Sequence, residues 1–248
     1  GVTAAAAQPE ILTFSELLNL PVATTPQGKG AIDEYHANSL GPVGRDGTYP
    51  ANRASRGCDV LLALGTRFGD RGTSGWVPGA THNIPPTKVI HVDLDPAQIG
   101  KTYPTAVGIV GDVKLVLRQL IEAARERNVS SAPPAWRAQT NNWQSLWHGD
   151  LETNVQSDAS PCHPDRILAD IRRIVPDTSV VLSDIGAHHS WMVQQFRVKS
   201  SARLLQSGGF ACMGFGVGGA LGAQLAAPDR AVLAVVGDGG FLMHANAV

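Results

Sequence analysis

Short apolar runs alternate along the chain with segments whose apolar positions recur every three or four residues. That alternation predicts parallel strands joined by helices. PEILTFSELLNL (9–20) has helical spacing, PVATT (21–25) follows as a strand, and the glycine-rich PQGKG (26–30) comes next. CDVLLALGTRF (58–68) reads as a buried strand meeting a glycine loop. TKVIHVDLDP (87–96) reads as a strand ending in acids, with Pro96 placed to open a helix. GIVGDVKLVLRQLIEAARERN (108–128) predicts a short strand, a turn, and a helix with basic residues toward its end, where the helix dipole favours them.

Residues 126–161 differ in character. They are polar, contain Pro133-Pro134, and carry Trp136, Trp143 and Trp147, so they read as a linker with one helical piece. A second strand–helix series then begins: an amphipathic helix in HPDRILADIRRIV (163–175), a strand, turn and helix in TSVVLSDIGAHHSWMVQQF (178–196), and a short strand, glycine-rich turn and small-residue helix over 203–230. AVLAVVGDGG (231–240) is the next strand and turn, after which neither helix nor strand is expected. The expected organisation is two doubly wound, Rossmann-like parallel α/β domains, the second truncated: 1–125, a linker at 126–161, and 162–248.

Composition narrows the function classes. The 248 residues are 43% hydrophobic and 17% charged, enough for a substantial core. Net charge is −1, and no basic patch suggests nucleic acid. No apolar run approaches the roughly 18 residues of a membrane helix, and GVTAAAAQPE has no basic start suggestive of a signal peptide. Three well-separated cysteines, Cys58, Cys162 and Cys212, fit a reducing, cytoplasmic setting.

Candidate chemistry gathers at strand ends. GDGG (237–240) closes an apolar strand; Asp238 offers a hard oxygen suited to Mg²⁺, and Gly239 and Gly240 let a phosphate approach the backbone. In SDIGAHHSW (183–191), His188 at a helix start can serve phosphate or simply be structural. GFGVGG (214–219) fits the dinucleotide fingerprint, with Asp238 ending the next strand, or a small-residue helix packed on a sheet. In LGTRFGDR (64–71), Arg67 and Arg71 can hold a phosphate, or pair with Asp70 at the surface. In HVDLDP (91–96), Asp93 can meet a ribose or cap the next helix.

Taken in order, these motifs resemble the thiamine diphosphate enzymes of the acetolactate (acetohydroxyacid) synthase group, most specifically in SGGFACMGFGVGGALGAQLAAPDRAVLAVVGDGGFLM (207–243). SDIGAHHSW resembles the group's D-x-G-Q-H segment. LLALGTRFGDRGT, VIHVDLDPAQIGK and GDVKLVL resemble its middle domain, which holds FAD in several members. The resemblance implies decarboxylation and carboligation of 2-keto acids, such as pyruvate to acetolactate in branched-chain amino-acid biosynthesis, by a homodimer or homotetramer. It implies Asp238 as a Mg²⁺ ligand, with Gly186, Ala187, His188, Ala211, Met213, Gly239 and Gly240 at thiamine diphosphate. Met213 stands where an apolar residue wedges the cofactor into its bent form. It implies Gly65, Arg67, Arg71, Asp93, Leu94 and Asp112 at FAD. No catalytic residue falls in this stretch, because the glutamate that activates the cofactor belongs to the group's first domain. The resemblance also implies that Gly1 is the last glycine of the Gly-Gly-Gly that opens the middle domain and that the chain stops before the asparagine pair of the metal motif, so the fragment alone is expected to be inactive. Departures from the group are Ala187 for glutamine, Ala211 for glycine, Gly218 for proline, Gly240 for serine, Pro26-Gln27 for a Leu-Met pair and Asp46 for histidine. Another thiamine diphosphate decarboxylase or lyase, a non-catalytic nucleotide-binding module, and an NAD(P)-linked oxidoreductase using GFGVGG stay open as alternatives.

Overall fold

The computed structural model describes residues 1–199 and 204–247, which form two compact units, Gly1–Trp147 and His148–Val248. Arg203 of the expected strand start and the terminal Val248 lie outside the described residues.

In the first unit, helix α1 (Gln8–Leu17) leads to strand β1 (Val22–Thr24), which pairs in parallel with β2 (Ser39–Pro42). Helix α2 (Tyr49–Gly57) starts at Thr48, whose hydroxyl accepts the Ala51 N–H, and carries Pro50 in its first turn, where the missing N–H costs nothing. Strands β3 (Val60–Leu64), β4 (Lys88–Asp93) and β5 (Val107–Val110) make a second parallel sheet in that order, with a one-turn helix α3 (Asp70–Thr73) after β3. Helix α4 (Val113–Glu126) is capped by Asp112, whose Oδ1 accepts the N–H of Lys114 and of Leu115. The apolar faces of α1 and α4 close on this sheet through Ile11, Phe14, Val116, Leu117 and Ile121 packed with Val92. Pro96 opens only a one-turn 3-10 helix (Pro96–Gln98), capped by Asp95.

The polar stretch after α4 is dominated by one long helix, α5 (Pro134–Val155). It is the one helical piece that the pattern suggests, and its buried side is mixed: Arg137, Thr140 and Trp143 replace an aliphatic stripe. The Arg137 guanidinium donates to Asn38 Oδ1 at 2.9 Å, and Trp143 packs with Leu40, Val43, Ala51 and Ala54.

In the second unit, α6 (Pro164–Ile174) precedes β6 (Val180–Ser183), α7 (Ala187–Gln195), β7 (Leu204–Gln206), α8 (Phe215–Ala226) and β8 (Val232–Val235). The sheet is parallel with order β7-β6-β8. Its core joins Leu168, Val181, Met192 and Phe196. The expectation of no element after β8 is corrected here: the glycine turn runs directly into a short helix, α9 (Asp238–Met243), followed by a 3-10 turn (Ala245–Ala247). Glycines at two of its first three positions hide it from propensity, since each disfavours a helix interior.

Candidate cofactor site

The order β7-β6-β8 means that the chain leaves β6 on one side and later returns to its other side. Open α/β sheets form a crevice at such a reversal, outside the carboxyl ends of the strands. The turns that end β6, β7 and β8 therefore converge, and they carry every residue that the sequence assigns to thiamine diphosphate.

After β6, Gly186 is the N-cap of α7, and Ala187 and His188 form its first turn. The His188 ring lies across two of the turns: a Cβ on Gly186 would stand 2.8 Å from its Cε1, and one on Gly237 would stand 3.3 Å away. His188 Nε2 is buried and has no hydrogen-bond partner. Ala187, with no polar side chain, leaves His188 as the side-chain donor of this turn. After β7, Ala211 has a left-handed backbone (φ 56°), a conformation that costs a residue with a Cβ, and Met213 is 40% exposed. After β8, Asp238 is the first residue of α9, and its exposed Oδ1 accepts the Gly239 N–H at 2.8 Å. Met213 reaches this turn, its Cε standing 3.1 Å from where a Cβ of Gly239 would be.

These groups fit a magnesium diphosphate. Among the described residues no cluster of three or more His, Cys, Asp or Glu could hold a metal. A Mg²⁺ at Asp238 would take its remaining oxygens from phosphate and water, as this ion ordinarily does. Gly239 and Gly240 leave the backbone bare, and the unpaired His188 nitrogen is a polar group that burial leaves unsatisfied until a ligand arrives.

The glycines of GFGVGG do something else. Gly214 caps α8 with a left-handed backbone (φ 87°). Gly216 and Gly219 face the sheet, where a Cβ would come within 2.7 Å of Val236 and Leu182 respectively. They permit helix–sheet contact, which is the packing reading of that motif.

In the first unit five of the six residues assigned to FAD sit at or just after the carboxyl ends of β3, β4 and β5, and the sixth, Arg71, lies on α3. Gly65 has φ 58°, and the backbone of Gly1 packs so closely that a Cβ on Gly65 would lie 2.3 Å from the Gly1 Cα. Arg67 follows it, exposed. Asp93 Oδ1 accepts the Asp95 N–H at 3.0 Å, and Leu94 is 72% exposed. Asp112 serves as the α4 cap. The surface pairing of Arg71 with Asp70 is corrected: Arg71 Nε donates to the buried Asp46 at 3.0 Å, while Asp70 meets Arg45 Nη2 at 3.4 Å. Asp46 arrives from the loop after β2, a contact that strand periodicity does not reveal. The set fits the adenosine and phosphate half of a dinucleotide, but the charge of Arg71 is already matched.

Residues 184–248 match the C-terminal TPP binding domain of thiamine pyrophosphate enzymes, and residues 1–120 match their central domain. The chain belongs to this family. Its relatives include a probable acetolactate synthase large subunit of Methanococcus aeolicus, 37% identical over 98% of this chain and 42% of that protein. The acetolactate synthase large subunit of Parasynechococcus marenigrum is 35% identical over 98% of the chain and 38% of that protein. The acetolactate synthase of Mycobacterium bovis is 36% identical, again over 98% and 38%. The chain thus spans about two fifths of the length of the curated relatives it matches. Among the described residues no helix is long and apolar enough to cross a membrane.

Asp184, the acid that opens the segment resembling D-x-G-Q-H, lies beneath all three turns, and the resemblance assigned it no cofactor contact.

Proposed function

We propose that the protein containing this chain is a thiamine diphosphate- and Mg²⁺-dependent enzyme that decarboxylates and joins 2-keto acids, as acetolactate synthase does. The observation that carries the reading is the convergence of His188, Met213 and Gly237–Gly240 at the reversal of the sheet. In this reading residues 1–125 are the nucleotide-binding middle domain, 126–161 the linker and 162–248 the first part of the cofactor domain. When bound, thiamine diphosphate supplies a carbon nucleophile for the keto group and a sink for the electron pair left as CO₂ departs.

The chain's own residues bind and orient. Asp238 holds Mg²⁺ and so neutralises the diphosphate. Gly239 and Gly240 let the phosphates come against backbone. Gly186 and Ala187 open the start of α7, whose helix dipole attracts anions, and His188 Nε2 donates to a phosphate oxygen. Met213 and Ala211 present an apolar wall that excludes water. The middle domain holds an adenine nucleotide through Gly65, Arg67, Asp93, Leu94 and Asp112. ADP suits it as well as FAD, because the charge of Arg71, which the resemblance assigns to FAD, is already matched by the buried Asp46. The protein works in the cytoplasm as a homo-oligomer on small 2-keto acids, without nucleic acid or membrane.

The test uses the full-length protein with ThDP and Mg²⁺. Acetolactate should form from pyruvate. Asp238→Asn, a weaker ligand for a hard cation, should lower Mg²⁺-dependent ThDP affinity tenfold or more in calorimetry while leaving the fold intact. No binding of ThDP by the wild-type protein would sink the reading; unchanged affinity in Asp238→Asn would remove Asp238 from the metal.

A further inference from the structure

Asp184 follows β6 immediately, and its side chain is fully buried. Its backbone N–H extends the β6–β8 ladder to Val235 O at 2.9 Å. Its Oδ2 accepts the Gly214 N–H at 2.9 Å, while Oδ1 is buried with no hydrogen-bond partner. Glycines crowd it. A Cβ on Gly240 would lie 2.2 Å from Oδ2, and one on Gly216 would lie 3.1 Å from the Asp184 Cβ.

A carboxylate out of water is costly unless its oxygens are engaged. An ordinary cap for α8 would come from its own N-cap residue, where Ser, Thr, Asp or Asn serve from a partly solvated position. Here the N-cap is Gly214, which has no side chain, and the acid reaches across from the neighbouring strand. The same acid rests against Gly240, two residues beyond Asp238. The remaining link is Met213, which precedes Gly214 and touches Gly239. Asp184, Gly214, Met213, Gly239 and Gly240 thus form a closed ring of contacts.

From this ring we infer that Asp184 is a positioning residue for the cofactor: its carboxylate, wedged between Gly214 and Gly240, sets where Met213 and Asp238 stand against the end of β6. Asp184 itself touches neither metal nor substrate in this role. The inference rests on the thiamine diphosphate reading above, and it assigns Gly240 a reason to be glycine that is separate from phosphate approach.

The test compares wild-type full-length protein with Asp184→Ala, Asp184→Asn, Gly240→Ala and the double variant Asp184→Ala/Gly240→Ala. ThDP affinity and the Mg²⁺ concentration for half-saturation are read by calorimetry, and unfolding temperature is read without cofactor. Asp184→Ala should weaken ThDP tenfold or more and raise the Mg²⁺ requirement. Asp184→Asn, which keeps shape and an acceptor oxygen, should stay within about threefold of wild type. Gly240→Ala should weaken ThDP because its methyl strikes Oδ2, and should add little once Asp184 is alanine, the non-additivity expected of residues in contact. Wild-type affinity and Mg²⁺ requirement in Asp184→Ala would overturn the inference, as would fully additive losses in the double variant. If Asp184→Ala does not fold, Asp184→Ser, which keeps a short polar side chain, takes its place: wild-type ThDP affinity and Mg²⁺ requirement overturn the inference, and a tenfold loss at unchanged unfolding temperature supports it. A wild-type protein that binds no ThDP overturns the functional reading and this inference together; one that binds while the variants bind equally well overturns this inference alone.

Discussion

His82 shows how burial turns one residue into a pH sensor for stability. Its Nδ1 meets Ser55 Oγ at 2.6 Å, and its ring stands edge-on to Phe68 and Tyr103. Burial disfavours the imidazolium and lowers the pKa from 6.5 to about 4. The folded state therefore prefers neutral His82, while the unfolded chain takes up a proton below pH 6.5. Stability from this residue is fully present above pH 6.5 and is lost as pH falls toward 4, a change on the order of 3 kcal/mol. Urea unfolding of the first unit should show this slope between pH 6.5 and 4, and His82→Gln, which can still meet Ser55, should flatten it. An identical slope in the variant would assign the acid sensitivity elsewhere. At the same scale, Cys58 is an unreactive thiol, because burial pushes its pKa up to about 11. Sequence patterns named Asp238, Gly239 and Gly240 because they adjoin a strand. They could not weigh Asp184, whose importance lies in contacts with residues thirty and more positions away.

At the scale of elements, α8 has two unlike faces made from the same residue. Gly216 and Gly219 have no room for a Cβ, whereas Gly218 and Gly222 face open space. Helix propensity favours alanine over glycine by up to about 1 kcal/mol, so Gly222→Ala should stabilise the second unit by that order. Gly219→Ala gains the same propensity, yet its methyl would meet Leu182 Cδ2 at 2.7 Å. Overpacking of this kind costs about 1–3 kcal/mol, so the net effect should be destabilising. Thermal melts of this chain check both, and equal shifts in the two variants would show that α8 does not sit on the sheet as described. The pattern of small residues announces close packing; it does not say which glycines make it. The same limit explains β2, whose SLGP has no strand signature and pairs with β1 only because the fold brings them together.

For the whole molecule, the two units offer separate tests. The carboxyl edge of β3, β4 and β5 should bind ADP, detected by calorimetry on this chain, and Arg67→Ala should weaken it at least fivefold if the exposed guanidinium meets phosphate. FAD should bind no more tightly than ADP, since Arg71 is held by Asp46. Absence of affinity for both nucleotides would remove the nucleotide role from the first unit; much tighter FAD than ADP would show that the Asp46–Arg71 pair yields to a flavin.

Alternation of apolar runs with helical patterns was enough to establish a parallel α/β chain, because strand and helix periods are local properties of neighbouring residues. The glycine–acid turns were legible for the same reason: a phosphate or metal site needs bare backbone and a hard oxygen at one strand end, and GDGG and SDIGAHH contain them in a few consecutive positions. Tertiary structure alone decided which turns meet. The order β7-β6-β8 brings His188 against Gly237, Met213 against Gly239 and Asp184 against Gly240, and the loop after β2 delivers Asp46 to Arg71. Each of these pairs joins residues far apart in the chain, whose meeting depends on strand order and helix packing rather than on either residue's own neighbours.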